Sequence, residues 1–219
     1  MKRVHISVEG QTEETFIRDV LQPYFDPIGL YLTPVLLKTR RVSGRPTDKG
    51  GYVPYSKVKR EILALLGDTS AAAVTTMYDL YALPESFPGL ETLPEGIGIH
   101  KAEHLEAALS QDIGSPRFHP YIQLHEFEAL LFTSPEHICT WLSGTDRNLL
   151  DLRRIRQKFP NPEEIDDDPD CSPSHRIRSV FPEYEKNLTG SLIAIDIGLD
   201  AIREACKHFD AWIALLEEI

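Results

Sequence analysis

The sequence predicts an α/β protein with a mostly parallel, Rossmann-like sheet. Short apolar segments that end in Gly, Asp or other polar residues have the pattern of strands. Between them, apolar residues recur at helical spacing, so strands and helices alternate up to about residue 132. Beyond that point only helical patterns remain. We therefore predict an α/β core at residues 1–132 and a helical extension packed on it at residues 133–219.

The opening segment predicts a strand, a short turn and a helix. Residues 4–8 alternate as a strand does, Glu9-Gly10 ends that strand, and residues 16–25 carry apolar side chains at helical spacing. Ligands of open α/β sheets bind at the carboxyl ends of the strands. Glu9 lies at that edge, and Glu13 follows one helical turn later. The helix macrodipole alone also favours an acid at Glu13.

Later segments continue the alternation. Strands are predicted at residues 30–39, 71–78 and 118–124, and helices at residues 55–66 and 100–109. In the extension, helices are predicted at residues 134–142, 149–159, 175–181, 191–197 and from 199 to the end.

Composition narrows the class of protein. The chain has 219 residues, of which 42% are hydrophobic, and a net charge of −11. No apolar run approaches the roughly 18 residues of a membrane span, and three widely spaced cysteines suit a reducing compartment. We expect a cytoplasmic protein without membrane contact. The excess of acidic residues argues against a simple DNA-binding module, which is usually basic. It argues less strongly against a metal-dependent enzyme.

Three predicted strands are followed by acids. Glu9 follows the first, Asp79 ends the third, and Glu126 and Glu128 follow the fourth. Because the ends of parallel strands meet at one edge, we expect these carboxylates to converge. Their mutual repulsion calls for a cation, and all-oxygen ligands favour Mg²⁺ or Mn²⁺. The alternative is a set of unrelated acids in solvated loops.

Two basic segments are candidates for binding phosphate. Arg40 and Arg41 open a loop rich in Gly and Pro, which is either a solvated loop or a phosphate contact beside the acids. His175 and Arg176 begin a helix after Ser172, where backbone amides favour anions. A plain helix cap is the alternative for this second segment.

Four motifs carry a resemblance to a known family. They lie at residues 8–13 (VEGQTE), 77–84 (MYDLYALP), 120–132 (PYIQLHEFEALLF) and 208–212 (HFDAW). With them, the chain resembles a bacterial family of TOPRIM-related domains of unknown function, often encoded beside ABC-type or AAA-type ATPases in a suspected phage-defence setting. The Glu9-Gly10-x-x-Glu13 spacing is similar to that of the overcoming-lysogenization-defect nucleases.

The resemblance implies a TOPRIM-like fold and a divalent-metal-dependent nuclease of phage defence or DNA repair. Its partners would be nucleic acid, with DNA favoured over RNA, and an ABC-type or AAA-type ATPase. Glu9, Asp79 and Glu126 would be catalytic. The ligands of Mg²⁺ or Mn²⁺ would be Glu9, Glu13, Asp79, Glu126 and Glu128.

One position departs from the TOPRIM pattern, since Tyr81 stands where that fold usually has the second acid of Asp-x-Asp. Glu126 or Glu128 could replace it, or the site could hold one ion, or be inactive. The alternative function is thus a non-catalytic interaction subunit of an ATPase complex with a degenerate metal site. A third hypothesis is a zinc protease, because His100-x-x-Glu103-His104 matches an inverted zinc-protease pattern.

Overall fold

The protein forms a five-stranded sheet in which every recorded strand pair is parallel. The computed structural model describes residues 2–37, 54–165 and 171–219, and of Asn187 it describes only the backbone. Arg40 and Arg41 lie outside the described residues. The strands are β1 (Lys2–Val8), β2 (Leu30–Leu36), β3 (Ala73–Asp79), β4 (Phe118–His119) and β5 (Ile122–Gln123). Their order is β2-β1-β3-β4, with β5 also paired to β3. This confirms the predicted α/β fold class.

Helices connect the strands of this sheet and follow its last strand. In the first part of the chain they are α1 (Gln11–Phe16), α2 (Gln22–Phe25), α3 (Tyr55–Leu66), α4 (Gly98–Ile113) and α5 (Glu128–Leu131). A π-helical turn at Ile17–Leu21 joins α1 to α2, where the sequence predicts one continuous helix. The later helices are α6 (Pro135–Trp141), α7 (Asp146–Arg156), α8 (Pro173–Val180), α9 (Ser191–Ile197), α10 (Leu199–Ala205) and α11 (Lys207–Glu217). The predicted terminal helix is therefore divided, because the backbone is extended at Cys206.

The sheet has a topological switch point between β1 and β3. The chain passes from β1 to β2 on one side, and then returns to β3 on the other side of β1. Val8 pairs with Met77, so the two strands end almost level. Crevices at such switch points, outside the carboxyl ends of the strands, are where open α/β sheets bind ligands.

The strand predicted at residues 118–124 is interrupted in the structure. Pro120 has no N–H for a ladder hydrogen bond, and it separates β4 from β5. The hydroxyl of Thr76 fills the gap, because its Oγ1 accepts from the Tyr121 amide at 2.9 Å and donates to the Tyr121 carbonyl at 2.8 Å. Beyond the gap, Asp79 pairs with Gln123. This pairing brings the segment after β5 beside the end of β3.

Two buried hydrophobic clusters cover the two faces of the sheet. Ala73 and Met77 of β3 belong to one cluster, and Val74 and Tyr78 belong to the other, as the alternation of a strand requires. The first cluster also contains β1, α1 and the helices after residue 133, down to Leu216. The C-terminal helices therefore pack against one face of the sheet. Trp212 reaches it directly, since its Nε1 donates to Thr75 Oγ1 at 2.9 Å.

The Pro120 interruption generates a stability prediction. Thr76→Val should lower the free energy of unfolding by about 2–4 kcal/mol, because it leaves the buried amide and carbonyl of Tyr121 without their hydroxyl partner. Thr33→Val is the matched control in β2, since Thr33 Oγ1 is buried without a hydrogen-bond partner among the described residues. That substitution should be neutral or slightly stabilising. Urea unfolding of both variants measures the difference, and equal losses would contradict this account of Thr76.

Candidate functional site

The turn after β1 places two glutamates at the switch point. Glu9 directly follows the strand, and Glu13 lies buried in the first turn of α1. Gly10 makes this arrangement possible, because a Cβ atom at this position would lie only 2.9 Å from Glu13 Oε2. The carboxylate of Glu13 therefore folds back over the turn toward Glu9. The Glu9-Gly10-x-x-Glu13 motif has a steric reason for its glycine.

The other three acids arrive from β3 and from the segment after β5. Asp79 is the buried last residue of β3, and its neighbour across the sheet is Gln123. His125 then adopts a left-handed conformation (φ 62°), which turns the chain so that Glu126 and Glu128 follow within the protein interior. The charges of Glu9, Glu13 and Glu126 all act on Asp79. The structure thus brings together Glu9, Glu13, Asp79, Glu126 and Glu128, which we name the acidic cluster.

A lysine from the C-terminal part lies among these acids. The Nζ atom of Lys186 is 3.0 Å from Glu128 Oε2, 3.5 Å from Asp79 Oδ2 and 3.8 Å from Glu13 Oε1. Tyr184 precedes it and donates its hydroxyl to Glu128 Oε1 at 3.2 Å. A single ammonium therefore bridges carboxylates from three separate segments of the chain.

Burial and charge shift the pKa values in the acidic cluster. Burial raises the pKa of Glu9 to about 8, and the neighbouring charge of Glu13 adds to the rise. Burial likewise raises the pKa of Glu128 to about 7, against the lowering effect of Lys186. The pKa of Asp79 is raised well above its ordinary value by burial. Burial alone would lower the pKa of Lys186, but the surrounding acids, Asp79 first, raise it overall. The ammonium therefore stays charged.

The donor chemistry of the acidic cluster fits a divalent cation, whereas the positions of its carboxylates relative to one another do not. Carboxylate oxygens are the ligands that Mg²⁺ and Mn²⁺ prefer, and Asp79 Oδ1 is buried without a hydrogen-bond partner in the described ranges. Among the same residues, no three or more His, Cys, Asp or Glu side chains are arranged to hold a metal ion. Lys186 already lies among these acids. Any ion would thus have to displace its ammonium or draw the carboxylates inward.

The two basic candidates of α8 take different positions. His175 is exposed, and Arg176 donates from Nε to the Cys171 carbonyl at 2.6 Å while its guanidinium lies 5.2 Å from the centre of the Phe159 ring. The contact with the acidic cluster is made by the backbone instead, because the Ser174 amide donates to Glu126 Oε1. The start of α8 thus orients a carboxylate of the protein itself.

The zinc-protease pattern is used structurally. His104 Nε2 lies 3.1 Å from both the Gly89 carbonyl and Thr92 Oγ1, so its imidazole holds the preceding loop against α4. His100 is exposed one helical turn earlier. Within the described ranges, no set of three or more His, Cys, Asp or Glu side chains is placed to hold a metal ion. These ranges include the segment that carries both histidines.

Sequence reasoning missed Lys186 and Tyr184. Both lie in a short connection between α8 and α9, where no hydrophobic period marks an inward-facing residue. The sequence contains only an indirect signal for Lys186, because several acids that are predicted to converge require a cation. That requirement does not say which lysine or arginine supplies the charge.

The raised pKa values of the carboxylates predict a pH dependence of stability. Folded Glu9 (about 8) and Glu128 (about 7) hold protons that their unfolded forms release near 4.5. Their contribution to stability is therefore present at low pH and is lost as the pH rises from about 4.5 to about 8. Glu9→Gln should remove part of this loss. Its melting temperature should exceed that of the unmodified protein by a few degrees at pH 8 and equal it near pH 4.5.

Thermal unfolding across this pH range tests the effect of Glu9→Gln. Glu85→Gln, at an exposed position in the loop before α4, is the control and should follow the curve of the unmodified protein. A Glu9→Gln curve parallel to that of the unmodified protein would show that Glu9 ionises freely.

No helix within the described ranges combines the length and apolar character that a membrane crossing requires.

Comparison with known proteins places the chain in a family. Neither curated proteins nor solved structures give a significant match. Residues 8–217, nearly the whole chain, match the family described as "Domain of unknown function (DUF4276)". The chain belongs to this family of uncharacterised domains, and the acidic cluster lies within the matched region.

Proposed function

We propose that the protein is a divalent-metal-dependent phosphodiesterase that hydrolyses nucleic acid. One observation carries the proposal: carboxylates from three segments converge at the switch point of a parallel sheet, around a single ammonium group. When its five carboxylates are ionised, such a cluster carries more negative charge than Lys186 can neutralise. A hard divalent cation is the ligand class that best relieves this excess.

The residues of the acidic cluster have separate roles in this proposal. The metal ligands would be Glu9, Glu13, Asp79, Glu126 and Glu128, with Glu9, Asp79 and Glu126 nearest the chemistry. A bound Mg²⁺ or Mn²⁺ would stabilise the charge that develops on phosphoryl oxygens. The Ser174 amide orients Glu126, and Tyr184 orients Glu128. The half-buried Lys186 would neutralise the acids and contact an anionic substrate at the same edge of the sheet.

The resemblance to TOPRIM proteins supports the finer parts of the proposal. These are a TOPRIM-type nuclease, DNA rather than RNA as the substrate, an ABC-type or AAA-type ATPase as partner, and a role in cytoplasmic phage defence or DNA repair. The proposed contacts to substrate phosphates are Arg40, Arg41, His175 and Arg176. His175 is the exposed one of the two in α8.

A second function is favoured by Lys186 and Tyr81. In this alternative the ammonium permanently takes the place of a metal ion, and the protein is a non-catalytic subunit of an ATPase complex. Tyr81 fits this view, because it replaces the usual second acid and its side chain is 58% exposed.

Metal-dependent cleavage is the direct test of the enzyme. With Mn²⁺, the purified protein should nick plasmid DNA, and Glu9→Gln and Asp79→Asn should each lower the rate by about 100-fold or more because each removes a ligand charge. The exposed Glu85→Gln is the matched control and should keep the rate of the unmodified protein. An intact plasmid with every divalent ion, with and without an ATPase partner, would reject the nuclease.

Lys186→Met separates the two functions. At pH 8 it should lower the free energy of unfolding by about 3–5 kcal/mol, because it leaves buried carboxylates without their cation. The loss should be smaller at pH 5, where more of these carboxylates are protonated. Millimolar Mn²⁺ should then stabilise the variant by about 2.7 kcal/mol at a hundredfold excess over Kd, and it should stabilise the unmodified protein less.

Lys207→Met serves as the control, because Lys207 is an exposed lysine at the start of α11. It should change neither the stability nor the response to Mn²⁺. If Lys186→Met is destabilised but gains nothing from Mn²⁺, the acids do not bind metal and the non-catalytic subunit is favoured.

A further inference from the structure

Four large apolar side chains form an exposed surface beside the acidic cluster. They are Leu188 (65% exposed), Leu192 (42%), Ile195 (43%) and Trp141 (41%). The first three lie on one helical segment, and Trp141 of α6 is linked to that segment by its Nε1, which donates to Asp196 Oδ2 at 3.0 Å. We name this surface the α9 stripe.

The spacing of the residues explains why they share one face. A π-helical turn at Lys186–Gly190 runs directly into α9, and positions 188, 192 and 195 are separated by four and three residues. On the opposite side, Ile193, Ala194 and Ile197 are buried in the core. The helix is therefore apolar on both faces, whereas a helix that only covers a core needs one apolar face.

The charged side chains of the segment that carries the stripe are acidic, apart from Lys186. Glu183 and Glu185 precede it and are exposed, and Asp196 lies within it, with His137 Nε2 at 3.8 Å. Between residues 182 and 200 the sequence has one Lys or Arg, which is Lys186. Since the ammonium of Lys186 is directed into the acidic cluster, it does not offset the acids at the surface.

From this surface we infer that the α9 stripe is a docking site for another protein, which presents apolar side chains flanked by Lys or Arg. An apolar centre with an acidic border is complementary to an amphipathic basic helix. A second copy of this chain fits poorly, because it would bring two acidic borders together between molecules that each carry a charge of −11. The partner would lie beside the turn that carries Lys186. The inference does not depend on nuclease activity.

A labelled peptide provides the test. The probe is an amphipathic helical peptide of leucine and lysine, and fluorescence anisotropy measures its affinity for the full chain. Leu188→Gln combined with Leu192→Gln should weaken binding at least about tenfold, because glutamine retains helix propensity but removes the apolar contact. Leu63→Gln combined with Leu150→Gln is the matched control, with exposed leucines of α3 and α7 (46% and 43%), and should leave the affinity unchanged.

Two further probes define the chemistry of the partner. A peptide of the same composition without an apolar face, and a leucine–glutamate peptide with the original spacing, should each bind at least about tenfold more weakly. Equal affinity of the two double variants, equal binding of the glutamate peptide, or no binding of the lysine peptide would overturn the inference. So would a dimer of the unmodified chain, in sedimentation, that Leu188→Gln with Leu192→Gln dissociates, because a second copy would then cover the stripe.

Discussion

The contact of the Lys186 ammonium with the buried carboxylates is the interaction on which the arrangement of the site depends. Glu13, Asp79 and Glu128 arrive from different segments and are almost fully enclosed. Burying ionised carboxylates without a cation is strongly unfavourable, and protonation is another relief that the protein itself can provide. Lys186 and the raised pKa values of Glu9, Asp79 and Glu128 are two responses to the same excess charge.

Specific backbone features allow the acids to meet. Gly10 leaves room for Glu13, and the Pro120 interruption with its Thr76 hydroxyl brings β5 alongside the end of β3. Gly98 acts similarly at the start of α4, where a Cβ atom would lie 2.9 Å from Leu124 Cδ2 and 3.2 Å from the His125 ring. The left-handed backbone of His125 is uncommon for a residue other than glycine. A left-handed residue and two close approaches of glycine to side chains thus lie beside the acidic cluster, where they position its carboxylates.

The C-terminal helices have two structural roles. They complete one hydrophobic cluster of the sheet, and the connection between α8 and α9 supplies Lys186 and Tyr184. The same connection continues into the α9 stripe. Three of the four residues of the α9 stripe and the cation of the acidic cluster therefore lie on one continuous helical segment, Lys186–Ile197.

The sequence by itself determined the parallel α/β fold and the position of Glu9, Asp79, Glu126 and Glu128 at one edge. Hydrophobic periodicity reports local structure, and parallel strands necessarily end on the same side of a sheet. The tertiary structure alone decided which cation meets the acids, since Lys186 and Asp79 are 107 positions apart. It also decided that the Ser174 amide holds Glu126. Such contacts depend on how distant segments pack, and no local pattern encodes the distance between two side chains.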